Sequence, residues 1–333
     1  MDGPNKQVFY SARPEGHVAA ECFSVSETSI ADPADGDVVI ANKYLSLDPY
    51  MRMAMLGQQG IENLNTVMGG RVVGTIAKSR HPNFNEGDTV FAMGRWEQYS
   101  CLPGTQVRHI DIGNVGWTPF LSHLGFTGLT AWAGLEHYSN LQAGETIFVS
   151  AASGAVGSVV GQIAKIKGLR AVGCAGSDAK VDYLLNELGF DAAFNYKTVD
   201  NIADEIGKHC PDGVDIDFEN VGGKIFDAVF RNMNLKGRLL ICGGISQYNL
   251  ETPDYAVPNL LDFITKQLTM RGFTVRNHAD EIETYVELAR DWVAKGQLKG
   301  RETIVQGIAN APDAFIGLFH GDNFGKLIIQ VDR

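Results

Sequence analysis

A run of small residues, Ala151-Ala152-Ser153-Gly154-Ala155-Val156-Gly157, stands between a β-like segment and a helical one, the setting a dinucleotide-binding turn requires. Gly154 lets main-chain N–H groups approach a pyrophosphate. Gly157 lets the next helix pack closely on the strand, and the helix opening through Ala155 and Val156 supplies partial positive charge. Ala152 fills the first glycine slot of the G-x-G-x-x-G pattern, so the fingerprint is incomplete and a merely tight turn is the alternative. About 20 residues further on, an NAD-preferring site places Asp or Glu against the ribose hydroxyls. Here the segment ends Ala175-Gly176-Ser177, followed by Asp178 and Lys180. Small residues, a hydroxyl and a cation suit a 2′-phosphate better, which favours NADPH over NADH. Ser177 as a helix N-cap and Lys180 as a solvated first-turn residue form the plainer reading, and the two are compatible.

A reductase without a metal needs a hydrogen-bond donor for the oxyanion that develops during hydride transfer. Tyr248, in Gly243-Gly244-Ile245-Ser246-Gln247-Tyr248-Asn249, follows a predicted strand at the end where open α/β sheets place ligands. It is the first candidate, against the alternative of a loop tyrosine at a domain seam. Tyr50, in Asp48-Pro49-Tyr50-Met51-Arg52, is a second loop aromatic, or simple packing beneath a turn. The eight histidines, at 17, 81, 109, 123, 137, 209, 278 and 320, show no H-E-x-x-H and no Cys at ligand spacing. No metal site is expected, and the histidines read as surface residues or as supports for other side chains. No G-x-S-x-G elbow or Walker A loop supports a serine hydrolase or a P-loop ATPase.

The elements that must position these residues alternate. Strands are predicted at 146–149, 170–174, 192–194, 214–218, 239–241 and 268–270, with helices at 156–167, 179–188, 200–208 and 224–234 between them. That is a doubly wound parallel sheet. A further amphipathic helix over 280–295 places Ile282, Tyr285, Val286, Ala289, Trp292 and Val293 on one face. The first 120 or so residues read as short β runs broken by Gly, Pro and Asn, and 326–331 returns to β character. The expected division is a β-rich domain of residues 1–122 with 301–333, and an inserted nucleotide domain of 123–300.

Length supports two domains, since 333 residues exceed what one core usually serves. With 28 basic and 39 acidic residues the net charge is −11, which disfavours nucleic acid and anionic membrane as partners. No apolar run approaches the roughly 20 residues of a membrane span. Residues 1–6 carry no signal-like pattern, so a cytoplasmic location is expected. The five cysteines, odd in number and widely spaced, read as reduced thiols.

Six stretches together resemble the zinc-independent branch of the medium-chain dehydrogenase/reductase superfamily, and within it the prostaglandin/leukotriene reductases, plant double-bond reductases and bacterial curcumin reductase. They are Leu45 to Arg52, Ala151 to Lys165, Gly189-Phe190-Asp191 with Phe194-Asn195-Tyr196-Lys197, Glu219-Asn220-Val221-Gly222-Gly223, Cys242 to Ser246, and Gly321 to Lys326. The resemblance implies a GroES-like β-rich catalytic domain beside the Rossmann domain, in a homodimer that reduces C=C bonds conjugated to a carbonyl with NADPH. It also implies that Gly154, Ala155, Val156 and Gly157 hold the pyrophosphate, and that Lys180 and Tyr196 bind the 2′-phosphate. Asn220 and the loop of Cys242, Gly243, Gly244, Ile245 and Ser246 would line the adenosine and nicotinamide path. Phe273, Thr274 and Val275 would meet the nicotinamide amide, Asn323 would reach the cofactor, Tyr248 would bond the substrate carbonyl, and Tyr50 would line the substrate pocket. Gly244 departs from the alanine many members carry, and 252–258 and 95–99 match no characterised member closely. The rival activities on this fold are a zinc-free secondary-alcohol dehydrogenase and a quinone reductase. The rival outside enzymes is a nucleotide-binding structural or redox-sensing protein.

Overall fold

A computed structural model describes residues 3–55, 63–252 and 259–332. The segment 253–258, singled out above as a departure from the family, lies outside the described residues. The chain forms two units, Ser122–Arg301 and Met1–Leu121 with Glu302–Arg333. No helix among the described residues is long and apolar enough to cross a membrane.

In the first of these units six strands form one parallel sheet: β1 (Thr146–Val149), β2 (Arg170–Ala175), β3 (Ala192–Asn195), β4 (Val214–Glu219), β5 (Met233–Ile241) and β6 (Thr269–Gly272). Their spatial order is β3-β2-β1-β4-β5-β6. The order reverses between β1 and β4, so the crevice beyond their carboxyl ends is the topological switch point where open sheets bind ligands. The helices are α1 (Phe126–Tyr138), α2 (Gly157–Ile166), α3 (Asp178–Asn186), α4 (Ile202–His209), α5 (Gly223–Arg231), α6 (Leu260–Lys266) and α7 (Ile282–Ala294). Each α/β connection has a local cause. Ser177 caps α3 by accepting from the Lys180 amide, and Asn201 caps α4 through the amides of Ala203 and Asp204. Val159, Val160, Ile163 and Ala164 bury one stripe of α2. Phe148, Val172, Phe194, Ile206, Val229 and Leu239 share one core, and burying a side chain of this size contributes roughly 1.5–3 kcal/mol.

The predicted helix over 224–234 ends early. Asn232 follows α5 and turns its side-chain amide back to the carbonyls of Ala203 and Ala228, and Met233 already pairs with Val214. Strand β5 therefore starts six residues before the expected 239. Periodicity missed this because the register jumps: Val214 faces Met233 but Ile216 faces Arg238, and Lys236 takes φ 63°. The face predicted for α7 is the buried one at Ile282, Tyr285, Val286, Ala289 and Trp292.

The second unit is β-rich. Its larger sheet runs Glu302–Gln306, Lys326–Gln330, Asp37–Ser46, Gly69–Ser79, Thr89–Arg95, Val107–His109, with Tyr99–Pro103 also on Asp37–Ser46. The C-terminal strand pairs Ile328 with Ser46 and Ile329 with Leu45, which returns the tail to the N-terminal segment. Trp96 is fully buried and Glu97 accepts from Asn5 and Gln7, so most of the unmatched 95–99 stretch serves packing. The histidines are not all surface residues: His123 is buried against the Gly300 backbone. The five cysteines are unbonded thiols, and burial pushes Cys210 and Cys242 up to about 12.

Candidate functional site

The turn after β1 is built by the close approach of two backbone segments. Ala151 sits at φ 48°, its carbonyl accepts from the Gly154 amide at 2.9 Å, and the Ala152 amide reaches Cys174 O at 3.0 Å. A methyl added to Gly157 would lie 2.5 Å from Ala151 O and 2.9 Å from Ala152 Cα, so only glycine fits. Val156 precedes α2 without a side-chain cap. The helix thus begins on the turn itself, with the Ser158 amide on Gly154 O at 3.0 Å, and its positive end lies at that turn.

At the end of β2 the structure gathers more polar groups than the Ser177–Lys180 pattern predicted. Lys180 stands in the first turn of α3 behind Ser177. Asp178, the carboxylate nearest an expected 2′-phosphate, accepts from Asn195 Nδ2 at 2.8 Å. A methyl on Gly176 would lie 3.2 Å from Tyr196 Oη and 3.5 Å from Lys197 Nζ. Burial raises the Tyr196 phenol above its ordinary value, which keeps it a neutral donor. Lys197 carries no role that sequence alone assigns. Its place beside Tyr196 in the Phe194-Asn195-Tyr196-Lys197 stretch was the available signal.

At the switch point, Glu219 is the second such residue. Its Oε1 accepts from Ser150 Oγ at 3.0 Å and from the amides of Gly222, at 2.6 Å, and Val221. Its main-chain carbonyl accepts from the amides of Cys242 and Gly243 at 2.9 and 3.0 Å. One residue therefore ties the end of β1 to the loops that follow β4 and β5. Burial raises the Glu219 carboxyl, opposed by these donors, and burial with the Glu219 charge raises the adjacent buried Asp217 well above the carboxylate range. Asn220 donates Nδ2 to Ser150 O at 2.9 Å, so its amide braces the crevice wall.

The loop beyond β5 folds onto this brace: Ile245 N reaches Asn220 O and Ser246 reaches Val221 O through both N and Oγ. Tyr248 closes the loop, its Oη accepting from Gly244 N at 3.3 Å. Gly243 lies under the same hydroxyl, where a methyl would stand 3.2 Å from it. Phe273 takes its place through Phe273 N to Ile241 O, with its ring stacked on Tyr138 at 5.1 Å. Thr274 caps a 3₁₀ segment, Val275–Glu281, so the three residues assigned to the nicotinamide amide lie on one connection. The structure brings the residues of 154–157, 220 and 242–248 to the carboxyl ends of one sheet, and Lys180, Tyr196 and Lys197 to the end of β2.

Tyr50 and Asn323 belong to the other unit. Tyr50 opens the helix Tyr50–Ala54, with the Arg71 guanidinium 5.1 Å from its ring centre. Beneath it lies a buried ion pair, Lys326 Nζ to Asp48 Oδ1 at 3.0 Å, with Ser46 Oγ on Asp48 Oδ2 at 2.5 Å. Burial raises the Asp48 carboxyl, but Lys326, Arg71 and Ser46 outweigh it and hold it below the ordinary value. For Lys326 burial wins instead and lowers the ammonium. The hydrogen-bonded geometry is that of a charged pair. Asn323 bonds the Gly325 carbonyl at 2.7 Å in the turn before Lys326–Gln330.

A parallel sheet of this order with a glycine turn, an anchored switch point and a cationic end to its second strand is that of a dinucleotide-binding protein. Residues 6–110 match the family model described as N-terminal domain of oxidoreductase, and 155–291 the one described as zinc-binding dehydrogenase. The chain is 41% identical over 337 residues to the NADP(+)-dependent 2-alkenal reductase of Nicotiana tabacum, covering 99% of this chain and 98% of that one. It is 36% identical over 339 residues to the NADPH-dependent curcumin reductase of Escherichia coli (strain K12), covering 98% and 97%. It superposes on the crystal structure of CurA in complex with NADPH from Vibrio vulnificus with TM-score 0.93 at 36% identity, covering 98% and 99%. The chain belongs to the zinc-independent medium-chain dehydrogenase/reductase family. Among the described residues no cysteine joins a group of three side chains able to hold a metal, so a Cys-ligated zinc does not fit the donors present.

Proposed function

We propose that this protein, an NADPH-dependent oxidoreductase acting on CH–CH bonds, reduces the C=C bond of α,β-unsaturated ketones and aldehydes. The observation that carries the cofactor reading is the end of β2, where Tyr196 Oη and Lys197 Nζ flank Gly176 while Asp178 is held by Asn195. A 2′-phosphate there meets a cation and a neutral donor, and Lys180 stands on the first turn of α3 beside it. When bound, the cofactor supplies a hydride. The chain's own residues hold its pyrophosphate at Gly154, Ala155, Val156 and Gly157 and line its path with Asn220 and the Cys242 to Ser246 loop. Phe273, Thr274 and Val275 meet the nicotinamide amide.

Hydride addition at the β-carbon moves charge onto the carbonyl oxygen, and Tyr248 donates its O–H to that oxygen. The Gly244 N–H on Oη strengthens this donor. A proton then joins the α-carbon. Because conjugation spreads the new charge over the oxygen and the α-carbon, the enolate oxygen is less basic than the alkoxide an isolated ketone would give, and a single neutral donor serves where that ketone would gain from a Lewis acid. Tyr50 lines the substrate pocket. The protein works as a cytoplasmic homodimer. The exposed edge strand β6 and the outward Leu260, Leu261 and Ile264 of α6, 65–72% exposed, support self-association.

The test is oxidation of NADPH and NADH in parallel against alkenals, enones, ketones and quinones, with mass analysis of products. The saturated carbonyl compound is expected, with NADPH preferred. An alcohol product would establish the dehydrogenase activity instead and a hydroquinone the quinone reductase. Tight NADPH binding with no turnover on any substrate would leave only the sensing or structural role.

A further inference from the structure

Two histidines that are 141 positions apart in sequence meet in the Ser122–Arg301 unit. His137 stands on the last turn of α1, and His278 on the 3₁₀ segment Val275–Glu281, where it leaves helical geometry at φ −127°, ψ 17°. Their rings stack at 4.5 Å and 7°, and both reach Glu281: His137 Nε2 to Oε2 at 2.9 Å, His278 Nδ1 to Oε1 at 2.7 Å. One ligand atom from each of the three lies within 4.8 Å of the others. We propose that His137, His278 and Glu281 form a binding site for a divalent transition-metal ion, zinc being the ion that best matches the donors.

Two imidazole nitrogens and one carboxylate oxygen are a donor set that zinc takes with a water in the fourth position, whereas magnesium and calcium prefer oxygen. His278 also has the support a metal-bound imidazole usually has. With Nδ1 toward the site, its Nε2 lies 2.7 Å from Tyr138 Oη, which holds the ring and can accept from Nε2–H once Nδ1 gives its lone pair to the ion. Tyr138 is held in turn by Phe273 on one side and the Arg271 guanidinium, 4.5 Å from its ring centre, on the other. The His137 side chain is 34% exposed, that of Glu281 29% and that of His278 12%, so an ion can enter while the ligands keep partial shelter. Parallel rings do not aim their lone pairs at one point. Binding therefore turns His137, the most exposed ligand, about its Cβ–Cγ bond, a torsion with a broad minimum, and exchanges two histidine–carboxylate hydrogen bonds for metal bonds. The ion then links α1 to the segment that follows β6.

The experiment titrates metal-free full-length protein at neutral pH with zinc by calorimetry, and with cobalt(II) followed by its visible absorption. One equivalent per chain is expected, with a rise in Tm on zinc addition and no heat with magnesium. His278→Ala and Glu281→Gln should each weaken zinc binding by about tenfold or more and bleach the tetrahedral cobalt bands, and Tyr138→Phe should weaken it less. Glu281→Gln keeps the shape and one hydrogen-bonding oxygen, so its circular dichroism should match wild type. Absence of zinc binding overturns the proposal. So does zinc binding that His278→Ala and Glu281→Gln leave unchanged, since another group of side chains would then hold the ion.

Discussion

Tyr248 and Lys197 carry the proposed chemistry at its two ends, and each makes a prediction at the scale of one side chain. Tyr248→Phe removes the oxyanion donor, together with the long 3.3 Å bond from Gly244 N, and leaves the ring. kcat should fall by about a hundredfold while NADPH affinity, measured by fluorescence titration, stays within about twofold. Undiminished turnover would remove Tyr248 from the mechanism. Lys197→Ala and Lys180→Ala each delete a charge-assisted contact, and should raise the KM for NADPH by about tenfold or more without moving that for NADH. Equal losses with both cofactors would mean that the 2′-phosphate does not sit at the end of β2. Asp178 explains how an acidic side chain can border such a site: Asn195 holds it by a 2.8 Å bond.

Among the elements, the glycine turn and α2 form a single device. Gly157→Ala places a methyl 2.5 Å from Ala151 O and 2.9 Å from Ala152 Cα, so backbone has to move. Weakening of NADPH binding by about tenfold or more is expected, with a stability loss of about 1–3 kcal/mol, read by titration and denaturant unfolding. Ordinary NADPH binding by this variant would show that α2 does not need to approach the strand so closely. Glu219 works across elements, since its side chain and carbonyl together fix Ser150, Val221, Gly222, Cys242 and Gly243. A reading of loops one at a time does not find it, because its partners come from three separate segments.

Across the whole molecule, His123 makes stability fall on acidification, against the opposite slope contributed by the raised Asp217 and Glu219 carboxyls. Burial lowers His123 from 6.5 to about 4. The unfolded chain takes that proton first, so the stabilisation is complete above pH 6.5 and is lost as pH falls toward 4, by roughly 3 kcal/mol in all. Denaturant unfolding from pH 7 to 4 should show this contribution as the difference in slope between wild type and His123→Gln. An unchanged slope would place the effect on other groups. The alternation of strands and helices in 146–270 was legible in the sequence because period and turn residues are local properties, and so were the glycine turn and the Ser177 cap. The start of β5 was not, because the bulge at 234–237 answers to strand β4 rather than to its own neighbours. Composition and spacing thus determined a doubly wound chain and the glycine turn that follows its first strand. Only the tertiary structure decided that Lys197 joins Tyr196 at Gly176, that Glu219 braces the switch point, and that His137 meets His278 and Glu281. Those juxtapositions are set by strand order and by segments that pack from far along the chain, and no local pattern encodes them.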